Sequence, residues 1–297
     1  FRKKDSKSNE AALKYFILGA LSSGTILYAI SLIFGLTGST NIYQIVEASG
    51  AITSGLYPVA LLAMLLFTAG FGLKMSIVPF HMWIPDTYEG APTTISALLS
   101  GGTKKAAFVV AIRVFVISLP LLQLDWQLTF AILALITMTI GNIAALTQKT
   151  ITRLLAYSSI AQAGYMLIGL TVALQTELGL IGVLFHVFTH AVMQTTAFLA
   201  AAIVTKKVGR TDLNSFKGLG NRMPLTALTF TVSLLALAGI PPLNGFWSKL
   251  VLFTAAIDGG FTWLAIAGAI NSAFSLGYYA WVIKRMYLDE AEIKLKL

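Results

Sequence analysis

The sequence predicts an all-α, polytopic membrane helix bundle, and three observations carry that prediction. Of 297 residues, 57% are apolar and only 11% are charged, far below the roughly one-quarter charged share of soluble domains. Eight apolar segments each reach the ~20 residues needed to cross a bilayer. The basic residues fall between these segments and on one side of them. A net charge of +9 is therefore a matter of membrane topology, and nucleic acid is not an expected partner, because its recognition needs a clustered basic face. With no Cys and only three His, the chain lacks thiolate ligands and has little to hold a metal. No redox cofactor is expected within it.

In chain order the expected spans are 11–35, 56–80, 93–119, 127–147, 151–174, 178–204, 223–256 and 261–287. The first carries small residues, Gly19, Ala20 and Gly24, as helices do that pack closely in lipid. The second holds LLFTAGFGLKMSIVPF and the third the adjacent Lys104 and Lys105. The fourth and fifth are near-continuous apolar runs, and the sixth carries His186 and His190. The seventh holds LLALAGIPPLNGFWSKLVLF, and the eighth closes the bundle.

Lys and Arg in short loops mark the cytoplasmic side. Fifteen fall on one side: Arg2, Lys3, Lys4, Lys7, Lys149, Arg153, Lys206, Lys207, Arg210, Lys217, Arg222, Lys284, Arg285, Lys294 and Lys296. The opposite loops carry Glu47, Asp125, Glu177 and Asp258 and no basic residue. Both ends are thus expected on the cytoplasmic or equivalent side, with an even number of spans. The chain opens on Phe1 rather than Met, and N-terminal helices are expected to be missing from it.

Two spans should be interrupted. Pro removes a backbone donor and clashes with the preceding turn, and Gly239, Pro241, Pro242 and Gly245 crowd the seventh span. Lys74 and Lys249 each follow an Ala-Gly pair, which is read as an interruption in both. Broken helices at membrane depth line cavities or transport sites, although either segment alone also fits a packing kink. Since the two spans run in opposite senses, an inverted repeat is expected. Residues 1–297 are read as one transmembrane domain, with 1–120 the latter part of a first repeat and 121–290 a second.

Lys74, Lys104, Lys105 and Lys249 lie within apolar spans, where a charge costs about 2.5–3.5 kcal/mol or more. Such a lysine can change protonation as its hydration and partners change, which is what a proton relay needs. Snorkelling to the interface is the alternative, and it fits Arg113 best. Every Asp and Glu lies in a loop or at a helix margin, so a counter-charge is expected from elsewhere. His186 and His190 are four apart and share a helix face. Zinc would need a third ligand, and Val187 stands where a Glu often does. A polar proton connection and plain interhelical hydrogen bonding both remain open. His81 reads as structural. Asp86 and Glu89, in PDTYEGAP after Lys74, fit either proton collection or fixing of the loop.

The stretch FGLKMSIVPFHMWIPDTYEGAPTTISALLSGGTKKAAFVVAIRVF, with RLLAYSSIAQAGYMLIGL and AGIPPLNGFWSKLVLF, resembles the antiporter-like proton-translocating subunits of respiratory complex I. NEAALKYFILGALSSGTILYAISLIFGLTGS resembles subunit N, the type that includes mitochondrial subunit 2 and its plastid counterpart. The resemblance implies proton translocation coupled to reduction of a quinone or quinone-like acceptor, in an oxidoreductase whose iron–sulfur clusters, flavin and quinone sit in partner subunits. It implies that Lys74 pairs with a glutamate one helix upstream of residue 1, that Lys104 is the central lysine with Lys105 an extra cation, and that Lys249 is an exit-side station. His186 and His190 match a histidine pair familiar from the L type, where a lysine follows at the position of Gln194. Sister L- and M-type chains, small membrane subunits, a peripheral redox arm and lipid are the implied partners. The implied location is the plasma membrane or an organellar inner or thylakoid membrane. A subunit of a multisubunit sodium/proton antiporter or membrane-bound hydrogenase is the rival reading, and a non-transporting scaffold the other.

Overall fold

The computed structural model describes residues 5–50 and 55–290. Arg2, Lys3, Lys4, Lys294 and Lys296 of the expected basic side lie outside the described residues. Thirteen α-helices are present among those described: α1 Ser6–Thr37, α2 Ile42–Ser49, α3 Tyr57–Met75, α4 Trp83–Gly90, α5 Thr93–Leu98, α6 Lys104–Ile112, α7 Gln123–Leu146, α8 Ile151–Thr171, α9 Glu177–Val208, α10 Leu219–Arg222, α11 Pro224–Ala238, α12 Asn244–Asp258 and α13 Thr262–Tyr287. π-Helical turns at Leu99–Thr103 and Arg113–Ser118 join α5 and α6 into one span, Thr93–Ser118.

Among the described residues seven helices are long and apolar enough to cross a bilayer, and α11 with α12 forms the expected seventh span as two 15-residue halves. The break between these halves is where the prolines put it. Gly239 takes a left-handed φ of 85°, which only Gly adopts freely, Pro241–Pro242 is cis, and the helix restarts at Asn244.

The other interruption differs from expectation. Ala69 and Gly70 do not break α3, which runs unbroken through Lys74 to Met75. The break follows at Ser76, in the left-handed region at φ 62°, with a cis Val78–Pro79 bond before α4. Gly70 serves packing instead: a Cβ there would lie 2.5 Å from Ile26 Cγ1 and 3.2 Å from the Ser22 carbonyl. Lys74 thus precedes its break, whereas Lys249 follows its own.

The bundle is apolar outside and polar at mid-depth. Phe16, Phe188 and Leu124 are 72%, 70% and 81% exposed, as outer faces turned to lipid would be. α8 is the hub, with 19 of its 21 residues buried. One apolar cluster gathers Phe67, Phe71, Phe115, Trp126 and Phe130 with Leu167, Val183, Leu252 and Leu264. A second gathers Tyr88, Leu154, Phe198, Phe216, Phe230 and Tyr278. α7, α8, α9 and α13 each run from one cluster into the other, and Asn142, Gln162, His190 and Ser272 lie where they cross.

One end of the bundle is knitted by backbone bonds from Ile151 N to Thr211 O (2.9 Å), Leu213 N to Lys149 O (3.0 Å) and Gly218 N to Arg285 O (3.1 Å). These bring basic loops together, as the charge pattern requires. At the opposite end the Tyr57 hydroxyl donates to Asp125.

Candidate functional site

Lys249 lies on α12 just past the helix break, and its ammonium turns back to the carbonyls that end α11. It donates to Leu237 O at 3.0 Å, Ala238 O at 3.1 Å and Ser272 Oγ at 2.9 Å. The C-terminal end of a helix carries partial negative charge, so the break supplies what no carboxylate does. The Tyr165 ring, 4.6 Å from Nζ, adds a cation–π contact.

His186 adjoins this station. Gln162 Nε2 donates to Leu237 O at 2.9 Å, which turns Oε1 to His186 Nε2 at 3.0 Å. That acceptor requires a proton on Nε2 and leaves Nδ1 to accept from Ser248 Oγ at 2.9 Å. His190 is one turn further along α9, its ring parallel to that of His186 within 3° and 6.1 Å away between centroids. The rings are too far apart for a direct hydrogen bond.

Lys104 and Lys105 are both buried, 2% and 6% exposed, and both face inward. Residues adjacent on a helix point about 100° apart, and this helix wedges between α8 and α9 so that each lysine meets a different neighbour. Lys104 Nζ donates to Ser159 O at 2.7 Å and Ser159 Oγ at 3.1 Å on α8. Lys105 Nζ meets His190 Nδ1 on α9 at 2.5 Å.

Lys74 is not buried as expected. It sits in the last turn of α3, half-buried, with Ser23 Oγ at 3.2 Å. It lines a cavity of about 150 Å³ with Tyr15, Ser22, Trp83 and Thr103, room for a few waters between it and the start of α6. Arg113 is exposed, as the snorkelling reading requires.

Asp86 and Glu89 are on α4 rather than in a loop. Arg153 Nη1 bonds Asp86 Oδ1 at 2.9 Å and Glu89 Oε2 at 3.1 Å, and Lys14 Nζ bonds Asp86 Oδ2 at 2.6 Å. Burial pushes the Asp86 carboxyl up, but Lys14 and Arg153 together outweigh it and hold it below the ordinary carboxylate range. These residues fasten α4 to α1 and α8. Burial, and then the charge of Lys104, push the His81 imidazole below its usual value against a backbone bond near Pro79, so it is neutral at pH 7.

Ser159, Gln162 and Ser248 are members of the site that periodicity and charge do not single out. A usable signal is present, since Ser159 and Gln162 are three apart on one face of an otherwise apolar span. Among the described residues no three potential ligands come together for a metal.

A mid-depth layer of lysines and histidines, with a helix broken beside Lys249, defines a polytopic membrane protein of the antiporter-like class. Residues 1–275 match the family described as NADH:quinone oxidoreductase/Mrp antiporter, TM, and the chain belongs to it. F(420)H(2) dehydrogenase subunit N of Methanosarcina mazei is 48% identical over 303 residues, covering 99% of this chain and 61% of that protein. A chain of respiratory complex I from Thermus thermophilus superposes with a TM-score of 0.81 at 34% identity, covering 99% of this chain and 63% of that one. A chain of the Mrp complex from Dietzia sp. DQ12-45-1b gives 0.89 at 27% identity, covering 96% and 52%. The chain spans about three fifths of the length of the curated relatives it matches.

Proposed function

We propose that this chain is a proton-translocating membrane subunit of a complex I-like oxidoreductase, in which reduction of a quinone or quinone-like acceptor elsewhere drives protons through its buried lysines. The observation that carries the reading is a polar layer joined by contacts at every step except that between the parallel rings of His186 and His190, 6.1 Å apart. Lys249 shares the Leu237 carbonyl with Gln162, Gln162 holds His186, and His190 meets Lys105. A charge change at one station alters the protonation of the next through contacts of this length. Lys74, Lys104, Lys249, His186 and His190 are the proposed relay residues. The two repeats, 1–120 and 121–290, belong to the same proposal.

Partners follow from the same reading: sister L- and M-type chains, small membrane subunits and a peripheral redox arm that holds the flavin and iron–sulfur clusters. The membrane is the plasma membrane, or an organellar inner or thylakoid membrane in a eukaryotic or plastid setting.

The likeness to the Mrp chain favours one second reading, a subunit of a sodium/proton antiporter. The test of both uses the complex in native membrane vesicles, with pH-dye quench normalised to acceptor reduced. Lys249→Met and Lys74→Met should each cut proton movement per turnover at least fivefold. Unchanged movement in both variants refutes the relay. Movement that needs sodium and no electron donor selects the antiporter.

A further inference from the structure

We infer that the pocket between Lys149, Asn214 and Arg285, at the basic end of the bundle, holds the phosphate of an anionic phospholipid whose acyl chains lie along the outer face of α13. The site involves none of the buried lysines and stands independently of the proton-translocating reading.

Three segments build the pocket, and backbone contacts fasten them together. Leu213 N bonds Lys149 O at 3.0 Å, Thr150 and Asp212 form an antiparallel bridge, and Gly218 N bonds Arg285 O at 3.1 Å. These contacts bring the loop between α7 and α8, the 3₁₀ turn Leu213–Phe216 and the last turn of α13 around a cavity of about 320 Å³. That is about ten times the volume share of one water, enough for a phosphate with its ester oxygens.

The lining offers donors that the fold leaves unused. Arg285 gives one Nη1–H to Asn214 Oδ1 at 2.6 Å and stacks 3.9 Å from the centroid of the Trp281 ring. The stack holds the guanidinium flat and leaves its other N–H groups available. Among the described residues neither Arg285 nor Lys149 forms an ion pair. Asp212 is the carboxylate in the lining, and it is already occupied: Oδ1 accepts from Ser215 N at 3.1 Å and Oδ2 from Ser215 Oγ at 2.8 Å. The pocket therefore keeps an excess of one positive charge. A phosphate diester carries one negative charge, and bonds from guanidinium and ammonium groups to phosphate are among the strong ones. The bias of Lys and Arg toward one side of a membrane puts them at this end, but it does not make them converge on one cavity.

Depth selects a lipid over a soluble anion. Trp263 and Trp281 lie on the exposed face of α13, eighteen residues apart. That is about 27 Å of rise, close to the ~30 Å hydrocarbon thickness, and Trp is enriched at both interfaces. Arg285 stands one turn beyond Trp281, at headgroup level, where basic pockets between helices receive anionic headgroups. Between the two indoles the same face carries exposed Ile266, Ile270 and Phe274, and Gly277, where a Cβ would meet nothing within 4 Å. This is an apolar track for acyl chains, and it begins at the rim of the pocket.

The test uses the intact complex in nanodiscs doped with a photoactivatable phosphatidylglycerol, with labelled peptides mapped by mass spectrometry. Residues 277–285 should be labelled; excess phosphatidylglycerol should suppress the label at least fivefold, and phosphatidylcholine should change it by less than twofold. Lys149→Gln combined with Arg285→Gln should cut the label at least fivefold. Lys206→Gln combined with Lys207→Gln, the same loss of charge from the last turn of α9, should leave it within twofold of wild type. Should the first double variant fail to assemble, Lys149→Gln alone decides, because its ammonium holds nothing in the fold: a fall of at least twofold supports the site, and a smaller change overturns it. An unlabelled 277–285 segment in wild type, equal labelling of the two double variants, or equal suppression by phosphatidylcholine would overturn the assignment. Suppression by inorganic phosphate as strong as by phosphatidylglycerol would mark a site for a soluble anion and overturn the lipid as its occupant.

Discussion

Replacing Gln162 with Leu tests how the layer is held together. Gln162 accepts from His186 Nε2 at 3.0 Å and donates to Leu237 O at 2.9 Å. The Leu side chain has similar length and no polar atom. Leu237 O loses one donor but keeps Lys249 at 3.0 Å, so that acceptor stays satisfied. His186 is 0% exposed, and its Nε2–H is left without a partner, which costs about 1–3 kcal/mol. The ring can recover part of this by moving its hydrogen to Nδ1 and donating to Ser248, at the expense of the orientation that faces Lys249. A cost of about 2 kcal/mol corresponds to a roughly 30-fold fall in the population of the oriented ring. Denaturant unfolding of the purified complex and dye quench in vesicles should therefore both fall, quench by the larger factor. Stability within ~0.5 kcal/mol of wild type together with full proton movement would show that Gln162 does not hold His186, and the chain of contacts would have to be redrawn.

Further outcomes follow from other parts of the bundle. Asp86→Asn removes the bonds to Lys14 and Arg153; with the Asp86 side chain 34% exposed, solvent screening limits the loss to about 1 kcal/mol, measured by thermal unfolding. Because the folded carboxyl lies below its ordinary value of 3.8, this contribution is fully present above that pH and disappears as pH falls through the folded value; the variant should lack that acid-limb loss. Gly164→Ala puts a Cβ 2.7 Å from Met138 N and 2.9 Å from Ala134 O, backbone atoms that cannot turn aside, and should cost about 1–3 kcal/mol by overpacking α7 against α8. His81, neutral at pH 7, should titrate below 6.5 by imidazole NMR.

The spans are legible in the sequence because a bilayer demands ~20 apolar residues in a row, and Pro241 and Pro242 mark the second break correctly. The break near Lys74 falls elsewhere than the Ala-Gly pair suggests, for a physical reason. A helical Gly costs about 1 kcal/mol relative to Ala, but at Gly70 the Ser22 hydroxyl bonds its carbonyl at 2.7 Å and Ile26 fills the space a Cβ would take. The same glycine signal thus means close approach in α3 and the end of a half-helix at Gly239. The resemblance makes Lys105 an extra cation and periodicity needs only one of two adjacent residues to face inward, and neither registers that the neighbouring helices α8 and α9 both offer acceptors. The partners Ser159, Gln162 and Ser248 come from segments distant in sequence and are joined only by packing.

Lys74 and Lys249 both lie at the carbonyl end of a half-helix, yet they are held differently. The last carbonyls of α3 are taken: Trp83 Nε1 donates to Leu73 O at 3.0 Å and Ile77 N to Gly72 O at 3.1 Å. Lys74 is left with Ser23 and the cavity. Lys249, coming from α12, reaches the end of α11 and fills it. Each of its carbonyl partners has a second donor, Gln162 at Leu237 O and Ser272 at Ala238 O at 3.0 Å. In Lys249→Met neither carbonyl would therefore be orphaned, and the lost charge-assisted bonds would be offset by removal of a buried charge costing about 2.5–3.5 kcal/mol. Stability should stay within about 1–2 kcal/mol of wild type while proton movement fails. A loss of about 3–5 kcal/mol, the range for an abandoned buried partner, would mean that Lys249 is chiefly a structural clasp across the break.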